Sequence, residues 1–321
     1  MICLGIESTA HTLGVGVVKE KRVLANQVAL YKPVGEGIHP RKAAEHHAEK
    51  FRETLESALK RAGVSAGDIG LIAYAKGPGL GAPLRVASVA ARALSLSLGA
   101  PVVGVNHCIA HIEIGKLFTR FRDPLVLYVS GGNTQVIVKE GRGYRVIGET
   151  LDIGVGNLFD SFARSLKLEW AHGSAVEKMA EGGRYVPLPY VVKGMHLSFT
   201  GLLTEAVKTL AKQDKRDVCF SLQETAFSML AEVTERALAL TRKKEVLVCG
   251  GVAQNRRFRR MIGKMAGPHG ARVGSPPNEF NADNGAMIAY TGLLMHQHGM
   301  HEGFGEIGAR QRFRADEVEL W

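Results

Sequence analysis

The sequence predicts an α/β fold built twice over, two lobes facing each other across a cleft. Two observations point there. A meander of three short strands followed by helices occurs at the start and again from Leu125, and glycine-rich turns recur at matching places in both halves. No linker-like or low-complexity stretch parts the halves, so they are expected to lie against each other.

The elements follow in order. Apolar runs at 2–6 and 13–18 flank the polar turn ESTAHT, and a third at 23–30 follows the charged turn KEKR. Short apolar runs broken by polar turns predict a meander. Residues 41–61 carry apolar positions at helical spacing, with Pro40 suited to an early helix position. A buried strand is expected at 69–75, an Ala- and Leu-rich helix at 83–98, a strand at 102–105 and a helix at 107–118. The pattern then restarts with strands at 125–130, 134–138 and 144–147 and helices at 157–168, 174–181, 201–211 and 222–242. A strand at 245–249, a helix at 254–265, a short strand near Arg272 and a long helix at 281–299 complete the chain. The first lobe is therefore drawn at 1–122, with the tail 300–321 packed on it, and the second at 123–299.

Three turns fall where such a fold binds ligands. SGGNT (130–134) lies between the first two strands of the second half, matching ESTAHT in the first. GPGLG (77–81) and CGGVAQN (249–255) each join a strand to a helix. Backbone amides in such turns, with a helix N-terminus, can hold phosphate, and glycine lets a ligand approach closely.

The 321 residues are 45% hydrophobic and 22% charged, enough to bury one large core or two moderate ones. No run of eighteen apolar residues predicts a membrane span, and the opening MICLGIEST reads as a first strand, not a signal peptide. Cys3, Cys108, Cys219 and Cys249 are scattered with no CxxC, which argues for ordinary thiols in a reducing cytosol. Lys and Arg outnumber Asp and Glu by 41 to 31, a net +10 that suits a polyanionic partner, although a solvated surface has the same composition. Basic residues cluster at Arg256, Arg257, Arg259, Arg260 and Lys264, on several faces of one helix, and again at Arg310, Arg312 and Arg314.

His107 and His111 lie four apart on a predicted helix, so both rings leave one face, a spacing that suits two ligands to one metal or two ordinary surface histidines. The segment is HCIAH, without the glutamate a metalloprotease needs between its histidines, and Glu113 lies outside the pair. Asp283, in ADNG near the start of the last long helix, reads equally as a ligand or an N-cap. Tyr128 ends a strand before SGG and by itself reads as core. Asp160 and Glu177, on neighbouring predicted helices, suit either a ribose or solvent. No Walker A loop, GxSxG elbow or serine–histidine arrangement is present.

Taken together, ESTAHT, HPRKAAEHH, GPGLGAPLRVASVAARAL, NHCIAHIEIG, YVSGGNTQVI, GETLDIGVGN, SFTGLLT, GGVAQNRR, ADNGAMIAYTG and RADEVELW resemble one family in order along the whole chain. It is the archaeal and eukaryotic catalytic subunit of the KEOPS complex, related to the bacterial TsaD protein. The resemblance implies the two-lobed fold of actin, Hsp70 ATPase domains and sugar kinases. It implies transfer of the threonylcarbamoyl group from threonylcarbamoyl-AMP to the exocyclic amine of adenosine 37 in tRNAs reading codons that begin with A. It implies one divalent metal, ferrous iron before zinc or magnesium, on His107, His111, Tyr128 and Asp283. Tyr128, Val129, Ser130, Gly131 and Gly132 would line the phosphate and acyl end, with Asp160, Gly173, Glu177 and Asn255 at the nucleoside end. His107, His111, Tyr128, Ser130, Gly131 and Gly132 would then be the catalytic set, and ATP, ADP or AMP analogues could occupy the same site. Implied partners are tRNA, a small atypical protein kinase and small accessory subunits, in the cytoplasm and with no membrane.

The chain departs from the family at Ala171-His172-Gly173-Ser174, where a Pro-Gly-Gly-Pro turn is usual, and more mildly at SFTG and GAPLR. Competing functions of the same fold are an ATPase or kinase and a nucleotide-binding scaffold on nucleic acid. A protease is disfavoured by the missing glutamate.

Overall fold

The structure, a computed structural model, describes residues 1–33, 37–167 and 172–319. Leu168, the expected end of one helix, Ala171 of the departing turn, and Leu320 and Trp321 of the tail motif lie outside the described residues.

The first half forms β1 (Ile2–Glu7), β2 (Thr12–Lys19), β3 (Arg22–Leu30), α1 (Pro40–Ala62), β4 (Leu71–Gly77), α2 (Gly81–Leu98), β5 (Val102–Asn106) and α3 (His107–Thr119). Its sheet runs β3-β2-β1-β4-β5, an antiparallel meander extended by two parallel strands. The second half forms β6 (Leu125–Val129), β7 (Thr134–Glu140), β8 (Gly143–Glu149), α4 (Val155–Ser165), α5 (Gly173–Met179), a hairpin of β9 (Val192–Lys193) and β10 (His196–Leu197), α6 (Thr200–Thr209), α7 (Lys215–Thr241), β11 (Glu245–Cys249), α8 (Arg256–Ala266), β12 (Arg272–Gly274), α9 (Asn278–Asn281) and α10 (Gly285–Gln297). Its sheet runs β12-β11-β6-β7-β8, so β6–β8, β11 and β12 repeat the topology of β1–β5.

Strands buried on both faces read as continuous apolar runs, because helices cover each side. Leu4, Ile6, Val15 and Val17 pack toward Ala58 of α1 and Ala87 and Ala91 of α2. Cys3, Val18, Leu71 and Ala73 pack on the other side toward Ala286, Ala289 and Leu293 of α10. The second core gathers Leu127, Val129 and Val248 around Leu222, Phe227 and Leu230 of α7, with Phe162 and Phe258.

The lobe division drawn at 299 needs a correction. α10 closes the first sheet, not the second, and its backbone rests directly on the strands. A Cβ on Gly5 would lie 2.2 Å from Gly285 O, and one on Gly16 2.2 Å from Ala286 N, so only glycine permits the contact. α3 lies between the halves, with Ala110 and Ile114 in the first core and Cys108, Ile109 and Ile112 against Val126, Tyr128 and Leu247. The tail also departs from expectation, since it serves both halves. Glu302 pairs with Val102 and accepts from Tyr74 Oη at 2.8 Å, while Glu319 bridges to Gly143 of the second sheet.

Three boundaries differ for physical reasons. The predicted helix 281–299 breaks at 282–284, where Asn284 turns extended and caps α10 by accepting from Met287 N at 3.0 Å. α7 starts at Lys215, seven residues before the apolar spacing became visible at Leu222, because Asp214 caps a polar first turn. The predicted helix at 254 starts at Arg256, after a 3-10 turn over Gly251–Gln254.

Candidate active site

β5 ends at Asn106, whose Oδ1 accepts from Cys108 N (2.9 Å) and Ile109 N (3.2 Å) and so starts α3. That cap fixes His107 as the first helical residue and places His111 one turn later on the same side. Both converge on the break before α10: Asp283 Oδ1 lies 3.4 Å from His107 Nε2 and 3.3 Å from His111 Nε2. The capping alternative for Asp283 fails because Asn284 takes that role, leaving the carboxylate for the histidines.

One ligand atom from each of His107, His111 and Asp283 falls within 4.8 Å of the others. Tyr128 joins them from β6, its ring centroid 5.4 Å from that of His111. Among the described residues, buried Tyr128 Oη and His111 Nδ1 have no hydrogen-bond partner. An orphaned phenol beside two imidazoles and a carboxylate is a donor set that suits a divalent transition metal.

Burial disfavours a charged His107 ring, but the carboxylates of Glu7 and Asp283 on either side outweigh it and hold its pKa well above the usual histidine value. Burial pushes His111 down and Tyr128 well up, keeping both neutral. Burial raises Asp283 too, yet the two histidines outweigh that and keep it ionised far below the usual carboxylate range.

Sequence reasoning treated Glu7 only as part of a turn. It is wholly buried, and its Oε2 lies 2.9 Å from His107 Nδ1 while Oε1 accepts from Thr9 N and Thr9 Oγ1, both at 2.6 Å. A carboxylate on Nδ1 fixes a proton there and leaves Nε2, facing Asp283, as the nitrogen that could ligate an ion once its own proton is lost. The signal was present in retrospect, as one charge in an otherwise apolar strand ending. Glu7→Gln is expected to lower divalent-metal affinity about tenfold by chelator competition. Unaltered affinity would reduce Glu7 to a packing role.

The SGGNT turn meets α3 one residue past His107, where Asn133 Nδ2 lies 4.0 Å from Cys108 Sγ. Ser130 braces the turn, since its Oγ accepts from Asn133 N at 3.1 Å. Gly156 N and Asn157 N, at the start of α4, donate to Ser130 O (3.1 Å) and Gly131 O (3.0 Å). The turn's carbonyls are thereby held inward, and among the described residues the amides of exposed Gly131 and Gly132 have no acceptor within the chain. A Cβ on Gly156 would come 2.7 Å from Gly131 Cα, so a glycine there lets helix and turn touch. Val129 lies beneath, where the Gly250 backbone passes at positive φ (98°).

Of the four residues expected at the nucleoside end, Asp160 and Gly173 are hydrogen-bonded to each other, while Glu177 and Asn255 meet at the start of α8. Asp160 Oδ1 accepts from Gly173 N at 2.8 Å, and Glu177 Oε1 accepts from Arg256 N at 2.9 Å, next to Asn255, which caps α8. Asn255 Nδ2 also donates to Gln223 Oε1 at 2.9 Å. His172, unassigned in the sequence, caps α5 by accepting from Ser174 N at 3.3 Å. Glu113, wrongly placed for a protease base, takes a hydrogen bond from Tyr144 Oη at 2.6 Å and ties α3 to β8.

Residues 20–290 match the family described as tRNA N6-adenosine threonylcarbamoyltransferase. Over 323 residues, the chain is 54% identical to the tRNA N6-adenosine threonylcarbamoyltransferase of Thermococcus kodakarensis, covering 100% of this chain and 99% of the relative. The chain belongs to this threonylcarbamoyltransferase family. A second threonylcarbamoyl-pathway relative, from Methanocaldococcus jannaschii, is named a probable bifunctional tRNA threonylcarbamoyladenosine biosynthesis protein. It is 52% identical over 323 residues, which span all of this chain but 60% of that protein. HypF of T. kodakarensis shares the fold at a TM-score of 0.64 and 13% identity, over 93% of this chain and 48% of that one. The threonylcarbamoyltransferase chain thus has a duplicated two-lobed α/β architecture, a fold it shares with HypF.

Proposed function

We propose that this family member transfers the threonylcarbamoyl group of threonylcarbamoyl-AMP to the exocyclic amine of adenosine 37 in tRNAs reading codons that begin with A. Its coarse activity, tRNA threonylcarbamoyl transfer, follows from family membership. The observation that carries the finer reading is the convergence of His107, His111 and Asp283 beside the free amides of the SGG turn.

The carbonyl-side negative charge that develops when the amine attacks would be met by the amides of Gly131 and Gly132, pre-aimed by α4. Asp160, Gly173, Glu177 and Asn255 would hold the adenosine of the donor. The new bond joins the amine nitrogen to the carbamoyl carbon, the carbon–oxygen bond to phosphate breaks, AMP leaves, and the amine gives up a proton. A divalent ion on His107, His111, Asp283 and Tyr128, ferrous iron before zinc or magnesium, would supply Lewis-acid polarisation of the acyl or phosphate oxygen. The proposed step calls for no protein nucleophile, in keeping with Cys108, which burial pushes up to about 11, and with Ser130 Oγ, which is engaged within its turn.

The fuller setting is part of the same proposal: a cytoplasmic, KEOPS-like assembly with a small atypical protein kinase and small accessory subunits. The bifunctional name of the Methanocaldococcus relative supports a companion activity close to this one.

The test mixes the chain, partner subunits, ferrous or zinc ion, threonylcarbamoyl-AMP and unmodified tRNA, then digests the tRNA for mass spectrometry. Modified adenosine that requires this chain is the expected product. ATP turnover without modified adenosine would shift the function to an ATPase of the same fold.

A further inference from the structure

The five basic residues of α8 divide into two sets, which helical spacing in the sequence did not separate. Arg257 clamps Glu224, with Nε 2.6 Å from Oε1, and Arg259 donates to Ala253 O and to Asn278. These two are engaged inside the molecule. Arg256, Arg260 and Lys264 are exposed, at i, i+4 and i+8, opposite the buried side of Phe258, Ile262 and Ala266. Among the described residues none of the three forms an ion pair. The clean stripe that the whole cluster lacks is therefore present in this subset.

Helix electrostatics oppose such a stripe twice. Like charges four residues apart repel, and Arg256 stands in the first turn, where the helix dipole favours acids and none is present. The Glu177 carboxylate on Arg256 N offsets the second effect in part, but among the described residues no acid pairs with the side chains of the stripe to offset the first, and a bound polyanion relieves it. Successive cations rise about 6 Å along the axis, comparable to the step between phosphates on one RNA strand. The stripe also starts at the rim of the candidate site: Asn255 Oδ1 caps α8 at 2.9 Å and Arg256 N donates to Glu177.

We propose that Arg256, Arg260 and Lys264 form a phosphate track that holds the tRNA backbone along the exposed face of α8. The inference rests on the tRNA-transferase reading and adds where on this chain the substrate's backbone lies.

The test replaces all three with glutamine, which keeps helix propensity, in the full chain. Binding of an unmodified tRNA transcript is followed by filter retention over a salt series. The slope of log affinity against log salt is expected to shrink by about 2 to 3, with affinity at least tenfold weaker at low salt. An Arg260→Gln, Lys264→Gln variant, which leaves the pocket rim intact, is expected to shrink the slope by about 1 to 2 and to keep AMP binding. An unchanged slope in both variants overturns the track, and it leaves the transferase reading standing if wild-type chain still modifies tRNA. Loss of a partner subunit with the slope unchanged also overturns it and gives the stripe to an acidic protein surface. A wild-type chain with its partners that binds and modifies no tRNA fails the underlying reading instead.

Discussion

Replacing Asp283 with alanine is expected to cut threonylcarbamoyl transfer at least a hundredfold while the chain stays folded. The structural reason lies in the division of labour at the break before α10. Asn284 caps the helix and Asp283 does not, so removing the carboxylate takes away no capping bond. It does remove the one group that faces both His107 Nε2 and His111 Nε2. The neighbouring substitution should give the opposite pattern. Asn284→Ala costs about 1 kcal/mol of stability but leaves all four donor groups in place. Transfer assays and thermal unfolding on the two variants separate the roles. Near-normal transfer by Asp283→Ala would remove the metal from the proposed chemistry.

In a Tyr128→Phe background, which removes the phenol's proton, metal affinity is expected to rise with pH through neutrality by about tenfold per unit. Glu7 and Asp283, outweighing burial, hold His107 well above the usual histidine value, so in the metal-free chain its ring carries a proton at neutral pH. Ligation needs the Nε2 lone pair, and an incoming ion must displace that proton. The sign follows: acid weakens binding, and the gain with pH stops only above the raised value. His111, pushed down by burial, is already neutral and adds nothing to the slope. Calorimetry in buffers of different ionisation enthalpy, on a Tyr128→Phe background to remove the phenol's proton, should count about one proton released per ion at pH 7. A flat affinity between pH 6.5 and 7.5 would mean that His107 titrates as an ordinary histidine.

Much of the architecture was legible because the strands are short, apolar and separated by polar or glycine turns, twice in the same order. The His107–His111 spacing was legible for the same local reason. What local pattern could not reveal was partnership over distance. Glu7 looked like a turn residue because its partner His107 comes from a different strand–helix junction. Asp283 remained ambiguous until Asn284 was seen to cap α10, since ADNG offers two side chains for one cap. α10 gave no indication of which sheet it covers, being apolar on nearly every side and buried almost throughout. The α8 cluster could not be divided from sequence for a related reason: Glu224 and Asn278, which engage Arg257 and Arg259, are distant in sequence.

The seating of α10 on Gly5 and Gly16 bears on how the protein is made. The first sheet is synthesised early, yet the helix that covers its inner face is encoded near the end of the chain. While the ribosome is still adding the second half, Cys3, Val18, Leu71 and Ala73 have only Ala110 and Ile114 of α3 to cover them from their own half. Completion of the amino-terminal lobe therefore waits for the carboxy-terminal one, and the nascent chain carries an exposed apolar face for most of its translation. Such late, long-range closure slows folding and favours association with a chaperone or a neighbouring chain in the interval. It also means that Asp283, delivered just before α10, reaches His107 and His111 only after most of the chain has been made, so the candidate metal cluster forms late.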